Sequence, residues 1–151
     1  MNGSGVIELN APIHEVWNKL MDPDVLSECI LGCNRLERVE EGKYRADLAI
    51  GIAAVKGKYD ATISLVDVQA PRSYKLVVHG EGAPGFVEAE GVIDLTENGE
   101  GKTILSYTYT AEVGGKVAAI GQRMLGGVAK LLINDFFKKI KKEIEKAQLS
   151  A

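Results

Sequence analysis

From Lys116 to Leu149 no proline interrupts the chain, and the second half of that stretch, Asn134 to Lys146, has the apolar spacing of an amphipathic helix. The preceding hundred or so residues read mostly as strands. One long helix after a run of strands leaves few arrangements. The helix is the only element large enough to cover one face of a sheet, and the sheet must bury that face against it. The helix is also unusual in composition. Gly121, Gly126 and Gly127 lie in its first half. Each costs a helix interior about 1 kcal/mol relative to alanine.

The strands announce themselves by period-two alternation. Gly5–Asn10 reads as the first. Ala11-Pro12 opens a helix with Val16, Trp17 and Leu20 on its apolar face, and Asp22-Pro23 opens a second short one that Gly32 ends. Six further strands follow, at Leu36–Glu40, Lys43–Ala53, Tyr59–Val68, Tyr74–Gly80, Val87–Leu95 and Thr103–Val113. Glu41-Gly42, Ala70-Pro71 and Asn98-Gly99 supply turns between them. One face of each later strand is apolar and the other polar, the mark of an antiparallel sheet covered on one side. The fold expected is α+β, a helix-grip arrangement. A curved seven-stranded antiparallel sheet wraps a long C-terminal helix, with two short helices after the first strand, as one domain over residues 1–151.

Many inward positions are small: Ala46, Ala61, Gly80, Ala89, Gly91 and Ala111 on the sheet, Ala118, Gly121 and Gly127 on the helix. Two readings compete. Small residues let helix and sheet approach closely, or they leave a volume for a ligand. The excess of helix glycine favours the second. The candidate ligand-lining residues are Leu48, Ile50, Ile63, Leu65, Val78, Phe86, Ile93, Tyr107 and Tyr109 on the sheet, and Ile120, Met124 and Val128 on the helix. Tyr44, Tyr59 and Tyr74 share the inner register with Tyr107 and Tyr109 and offer oriented hydroxyls.

Reactive chemistry is sparse. His14 and His79 are far apart and fall on outward positions, with no Cys, Asp or Glu at ligand spacing, so no metal is expected. Cys29 and Cys33 are not a CxxC pair, and an incidental role for both is expected. No glycine group matches a phosphate or dinucleotide fingerprint, so no cofactor is expected. No nucleophile–base pair stands out, and no catalytic residue is named. The net charge of −3 and the lack of basic–aromatic interleaving argue against nucleic acid. The charge is uneven, however: −8 over residues 1–113 and +5 over residues 114–151. Lys138, Lys139, Lys141 and Lys142 form the basic peak. They read either as a solvated helix face or as a weak contact with an anionic membrane surface, with Phe137 turned towards Lys141. No signal peptide or membrane-spanning run is present, so a cytoplasmic location is expected, extending to the inner membrane face if the lysines touch lipid.

Several spacings together resemble the CoxG family, the G subunits of carbon monoxide dehydrogenases. They are Val55-Lys56-Gly57-Lys58-Tyr59, Leu65-Val66-Asp67 and Pro71 before Tyr74. Ala11-Pro12 with Val16-Trp17, Asp22-Pro23 with Val25-Leu26, Ile30-Leu31-Gly32-Cys33, Gly85-Phe86 and Gly114-Gly115-Lys116 continue the likeness. Leu31 stands where that family often has proline. The resemblance implies a START-like, Bet v 1-like (SRPBCC) helix-grip fold with an apolar cavity for a quinone or lipid. It also implies a non-catalytic role accessory to a molybdenum-containing carbon monoxide dehydrogenase or related hydroxylase. Many members carry a C-terminal membrane-binding extension, and the sequence ends at Ala151 soon after the long helix, so stable anchoring is not expected. The alternatives are an enzyme of the polyketide cyclase kind and a ligand-independent assembly factor for a partner enzyme.

Overall fold

The computed structural model describes the backbone of residues 1–150 and the side chains of residues 1–147. Strand β1 (Asn2–Leu9) leads into helices α1 (Ile13–Met21) and α2 (Pro23–Cys29). Six strands follow, β2 (Cys33–Glu40), β3 (Lys43–Ile50), β4 (Gly57–Gln69), β5 (Ser73–Gly82), β6 (Gly85–Glu97) and β7 (Thr103–Gly114), and then helix α3 (Gln122–Ser150). All seven strands form one antiparallel sheet in the order β1-β7-β6-β5-β4-β3-β2. Every chain neighbour from β2 to β7 is also a spatial neighbour. Only β1 travels, pairing with β7 so that the first and last strands close one side of the sheet.

The short helices are fixed at both ends. Pro12 gives α1 no side-chain cap. Instead Glu97, at the end of β6, accepts from the Ile13 N–H at 3.0 Å. The buried Thr103 hydroxyl donates to the Ala11 carbonyl at 2.7 Å, holding the β1–α1 corner against the start of β7. Asp22 caps α2 by accepting from the Asp24 N–H, with Pro23 in the first turn, as that dipeptide predicts.

The core lies at one end of the sheet. Leu9, Val16, Leu20, Leu95, Leu105, Ile140 and Ile144 are all but sealed from solvent, and Trp17 meets Tyr74 edge to face at 5.4 Å. Here α1, α2 and the C-terminal half of α3 pack together. Burying each large aliphatic contributes about 1.5–3 kcal/mol, so this end holds the fold.

Two expectations about boundaries fail for a local reason. Strand β3 stops at Ile50 rather than reaching Ala53, because Ala53–Val55 winds into a 3-10 turn. The long helix does not begin at Lys116. Residues Lys116–Ile120 form a second 3-10 turn, Gly121 breaks it at φ +93°, and α3 starts at Gln122. Gly121 is therefore a hinge between two helical pieces, not a residue inside one. Gly126 and Gly127 do lie inside α3, and a Cβ at either would meet nothing within 4 Å. They do not admit a close helix–sheet approach.

These three glycines should separate by sign. Gly126→Ala and Gly127→Ala should each stabilise the protein by about 0.5–1 kcal/mol, since alanine suits a helix and the space is free. Gly121→Ala should destabilise it by about 1 kcal/mol, because its backbone occupies a region that L side chains avoid. Urea denaturation of the three variants checks this. Equal effects at all three positions would contradict the hinge.

Candidate functional site

Between the concave face and the N-terminal half of α3 the packing opens. A cleft of about 310 Å³ runs from Ile93, Tyr107 and Tyr109 past Leu76 to Leu48 and Ile50, roofed by Leu132, Ile133, Phe136 and Phe137, with Ile30 and Leu31 at its rim. A second volume of about 220 Å³ lies further along, among Tyr59, Val78, Val87, Val113, Val117, Leu125, Val128 and Ala129. Leu48, Ile50 and Leu132 line both, so the two are adjoining parts of one apolar space. Their sizes suit a small apolar ligand.

The sheet makes this room in a particular way. On the concave face of the edge strand β1, Gly3 stands opposite Tyr109 and Gly5 opposite Tyr107. A Cβ on Gly3 would lie 2.5 Å from the Tyr109 ring, and one on Gly5 2.5 Å from the Tyr107 hydroxyl. Both rings therefore lie across the glycines of the neighbouring strand, covering edge backbone instead of standing into the cleft. Tyr107 is held from the other side by Phe137, stacked at 5.3 Å. At Gly80 and Gly91 the missing side chains leave the floor low.

The sequence-derived residues divide. Leu48, Ile50, Ile93, Tyr107 and Tyr109 border the cleft, and Leu48, Ile50, Val78, Phe86 and Val128 border the second volume. Phe86 is 44% exposed and stands at the rim. Ile63 and Leu65 share the concave register but lie outside both linings, and Leu65 packs against the main core. Met124 does not face the sheet: it is 55% exposed on the outer side of α3. Ile120, on the 3-10 turn before Gly121, borders a separate outer cleft. Leu125, Ala129, Leu132 and Phe136 take the places expected of Met124 and Ile120. They could have been found by counting back from Ile144 and Ile140 in threes and fours rather than forward from Lys116.

Phe137 is also corrected. It is 7% exposed and packs on Tyr107 and Phe136, not towards Lys141. Lys138, Lys141 and Lys142 are exposed, while Lys139 pairs with Asp135 at 2.8 Å and Lys146 with Glu143 at 3.4 Å. No aromatic side chain accompanies the exposed lysines. Among the described residues no helix is long and apolar enough to cross a membrane.

The walls of the apolar space carry no carboxylate, imidazole, thiol, lysine or arginine side chain, and the N-terminal ammonium of Met1, beside the second volume, donates to the Ala111 carbonyl at 3.0 Å. Tyrosine hydroxyls are their main polar groups, and Tyr59 donates its own to the Val55 carbonyl at 2.6 Å. His79, on the convex face, has closer company than its sequence neighbourhood suggests. Register places it opposite Glu88, with Nδ1 2.8 Å from Glu88 Oε1 and Nε2 3.4 Å from Glu81 Oε2. Those hydrogen bonds raise its pKa. The two carboxylates face different ring nitrogens, so they do not converge on one ion. Among the described residues no group of three or more His, Cys, Asp or Glu could hold a metal.

The family model for the G subunit of carbon monoxide dehydrogenase (CoxG) matches residues 5–145. The chain belongs to the CoxG family. A crystal structure of a conserved protein from Geobacillus kaustophilus is 68% identical, with 97% of each chain covered and a TM-score of 0.95. A START superfamily protein from Mycobacterium smegmatis is 13% identical over 97% of this chain and 98% of its own, with a TM-score of 0.74. A protein from Chromobacterium violaceum is 16% identical over 95% of this chain and 96% of its own, with a TM-score of 0.73. The last two share the fold, which is START-like. No curated protein matches.

Cys29 is placed for packing, and Cys33 is half-buried. Cys29 is 1% exposed, and burial, with Glu143 and Glu28 nearby, pushes its pKa from 9.0 to about 11. The folded protein thus prefers the protonated thiol, and the unfolded chain binds fewer protons once the pH passes about 9. Stability from this group is complete below that pH and falls as pH rises towards 11. Between pH 8 and 10 the wild type should lose about 1 kcal/mol more than Cys29→Ala. Denaturation curves at the two pH values measure it, and identical losses in both proteins would contradict the burial argument.

Proposed function

We propose that this CoxG-family protein binds an apolar or amphipathic small molecule, a quinone or a lipid, between the sheet and α3, and catalyses no reaction on it. It would serve as an accessory to a molybdenum-containing carbon monoxide dehydrogenase-like enzyme. The observation that carries the binding role is the pair of adjoining apolar volumes, with no carboxylate, imidazole, thiol, lysine or arginine side chain in their walls. An apolar ligand there gains burial without stranding a polar group. General acid–base chemistry needs a titratable group within hydrogen-bond reach of the substrate, and the walls offer tyrosine hydroxyls and the N-terminal amine of Met1, which is engaged by the Ala111 carbonyl. The family match supports the accessory role, since CoxG is a subunit of carbon monoxide dehydrogenase by name. A membrane contact, if part of this role, rests on Lys138, Lys141 and Lys142 and would be weak and salt-sensitive, because Phe137 is not available to insert.

Native mass spectrometry of protein purified without detergent should show an added apolar mass that solvent extraction recovers. Ala129→Phe, which fills the second volume, should reduce binding of the neutral fluorescent probe N-phenyl-1-naphthylamine at least tenfold. Met124→Phe, on the outer face of α3, should leave it unchanged. Equal probe binding by wild type and Ala129→Phe, with no extracted mass, would reject the cavity as a ligand site.

A further inference from the structure

The two ends of the apolar space differ. At the α2–β2 end the rim is Ile30 and Leu31, and no cation lines it. At the other end the two 3-10 turns, Ala53–Val55 and Lys116–Ile120, meet over the sheet. Outside them is a cleft of about 360 Å³ bordered by Val55, Lys56, Ala83, Pro84, Lys116 and Val117. Val55 and Val117 line this cleft on one side and the apolar space on the other. The outer cleft and the apolar space therefore adjoin at these two residues. The junction is braced by two hydrogen bonds, from the Tyr59 hydroxyl to the Val55 carbonyl at 2.6 Å and from the Val117 N–H to the Pro84 carbonyl at 2.9 Å.

Lys56 and Lys116 both border the outer cleft, and no carboxylate borders it with them, although Lys56 also borders a neighbouring cleft with Asp47, Asp60 and Glu81. Neither ammonium makes an ion pair or a hydrogen bond among the described residues. Two unpaired like charges beside an apolar channel are unfavourable unless an anion joins them. No ionic side chain lines the space itself, and the one ammonium there, the N-terminus on Met1, already donates to the Ala111 carbonyl at 3.0 Å, so burying a charged head inside is unfavourable. It would have to remain at the mouth, and this is the end whose mouth carries cations. We propose that the ligand is a single-chain amphiphile with an anionic head, a carboxylate or a phosphate. The chain lies in the apolar space and the head sits in the outer cleft between Lys56 and Lys116. This rests on the apolar-ligand reading above and deepens it by naming the ligand class.

The test compares laurate, dodecyl phosphate and dodecanol, which share one chain and differ in the head, as competitors of N-phenyl-1-naphthylamine. Wild type should bind at least one anionic competitor roughly tenfold tighter than dodecanol, the preference that two exposed ion pairs can supply. The double variant Lys56→Gln/Lys116→Gln should lose that preference while keeping its dodecanol affinity. The triple variant Lys138→Gln/Lys141→Gln/Lys142→Gln should retain it. Which anion shows the preference distinguishes carboxylate from phosphate, and either supports the proposal. Equal binding of all three by wild type, or a preference that survives in the double variant, overturns it while leaving the apolar-ligand reading intact. Failure of all three to displace the probe overturns both.

Discussion

Everything in this structure depends on how α3 is fastened chiefly by its C-terminal half. Phe137, Ile140 and Ile144 belong to a core with Leu9, Leu105, Tyr74 and the buried faces of α1 and α2. That cluster is dense, and it is completed by chain segments distant in sequence: Glu97 accepting from Ile13, Thr103 donating to Ala11. From Phe136 back to Val128 the helix is only half-buried, and full burial returns at Leu125 and, beyond Gly121, at Val117. A helix held rigidly at its far half can cross a concave sheet without collapsing onto it, provided the side chains below are short. Ala61, Gly80 and Gly91 meet that condition.

The tyrosines belong to the same device. An aromatic side chain on a concave face would ordinarily fill it. Here Gly3 and Gly5 on β1 let Tyr109 and Tyr107 lie flat across the edge strand. The pairing solves two problems at once: it covers exposed edge backbone and it keeps two bulky rings from closing the cleft. Phe137 stacked on Tyr107 then ties the wall of the cleft to the core that anchors α3.

How much of this was legible follows from which signals are local. The strands were legible because period two reports one wet and one dry face, and the turns because Gly, Pro and Asn occupy the positions that need them. The Asp22-Pro23 start of α2 was legible for the same reason. The helix phase was not. Counting forward from Lys116 puts Ile120, Met124 and Val128 on one line, but the 3-10 turn and the positive φ at Gly121 reset the angle before α3 begins. After that reset the inward line is Leu125, Val128, Ala129 and Leu132, and Met124 turns to solvent. Nothing in the identity of Gly121 distinguishes a hinge from a glycine tolerated inside a helix. His79 was misjudged for a similar reason: Glu88 is nine residues away in sequence and becomes a neighbour only through the β5–β6 register.

The hinge explains the glycine surplus better than close packing does. Close packing requires that a methyl group collide, and at Gly121, Gly126 and Gly127 it would meet nothing. A segment with a hinge at Gly121 and weakened helix propensity at Gly126 and Gly127 is less stable locally than the anchored half beyond Phe136. That gradient lies along the part of α3 that roofs the apolar space. A ligand buried under a rigid roof would need the whole domain to loosen before it could enter or leave. With the roof weak at one end and fixed at the other, opening requires only that the first turns of α3 and the adjoining 3-10 turn yield, while Ile140 and Ile144 stay in place. Instability confined to the first turns of the roof is thus compatible with a stable protein, because the residues that hold the fold begin at Phe137, where the roof ends.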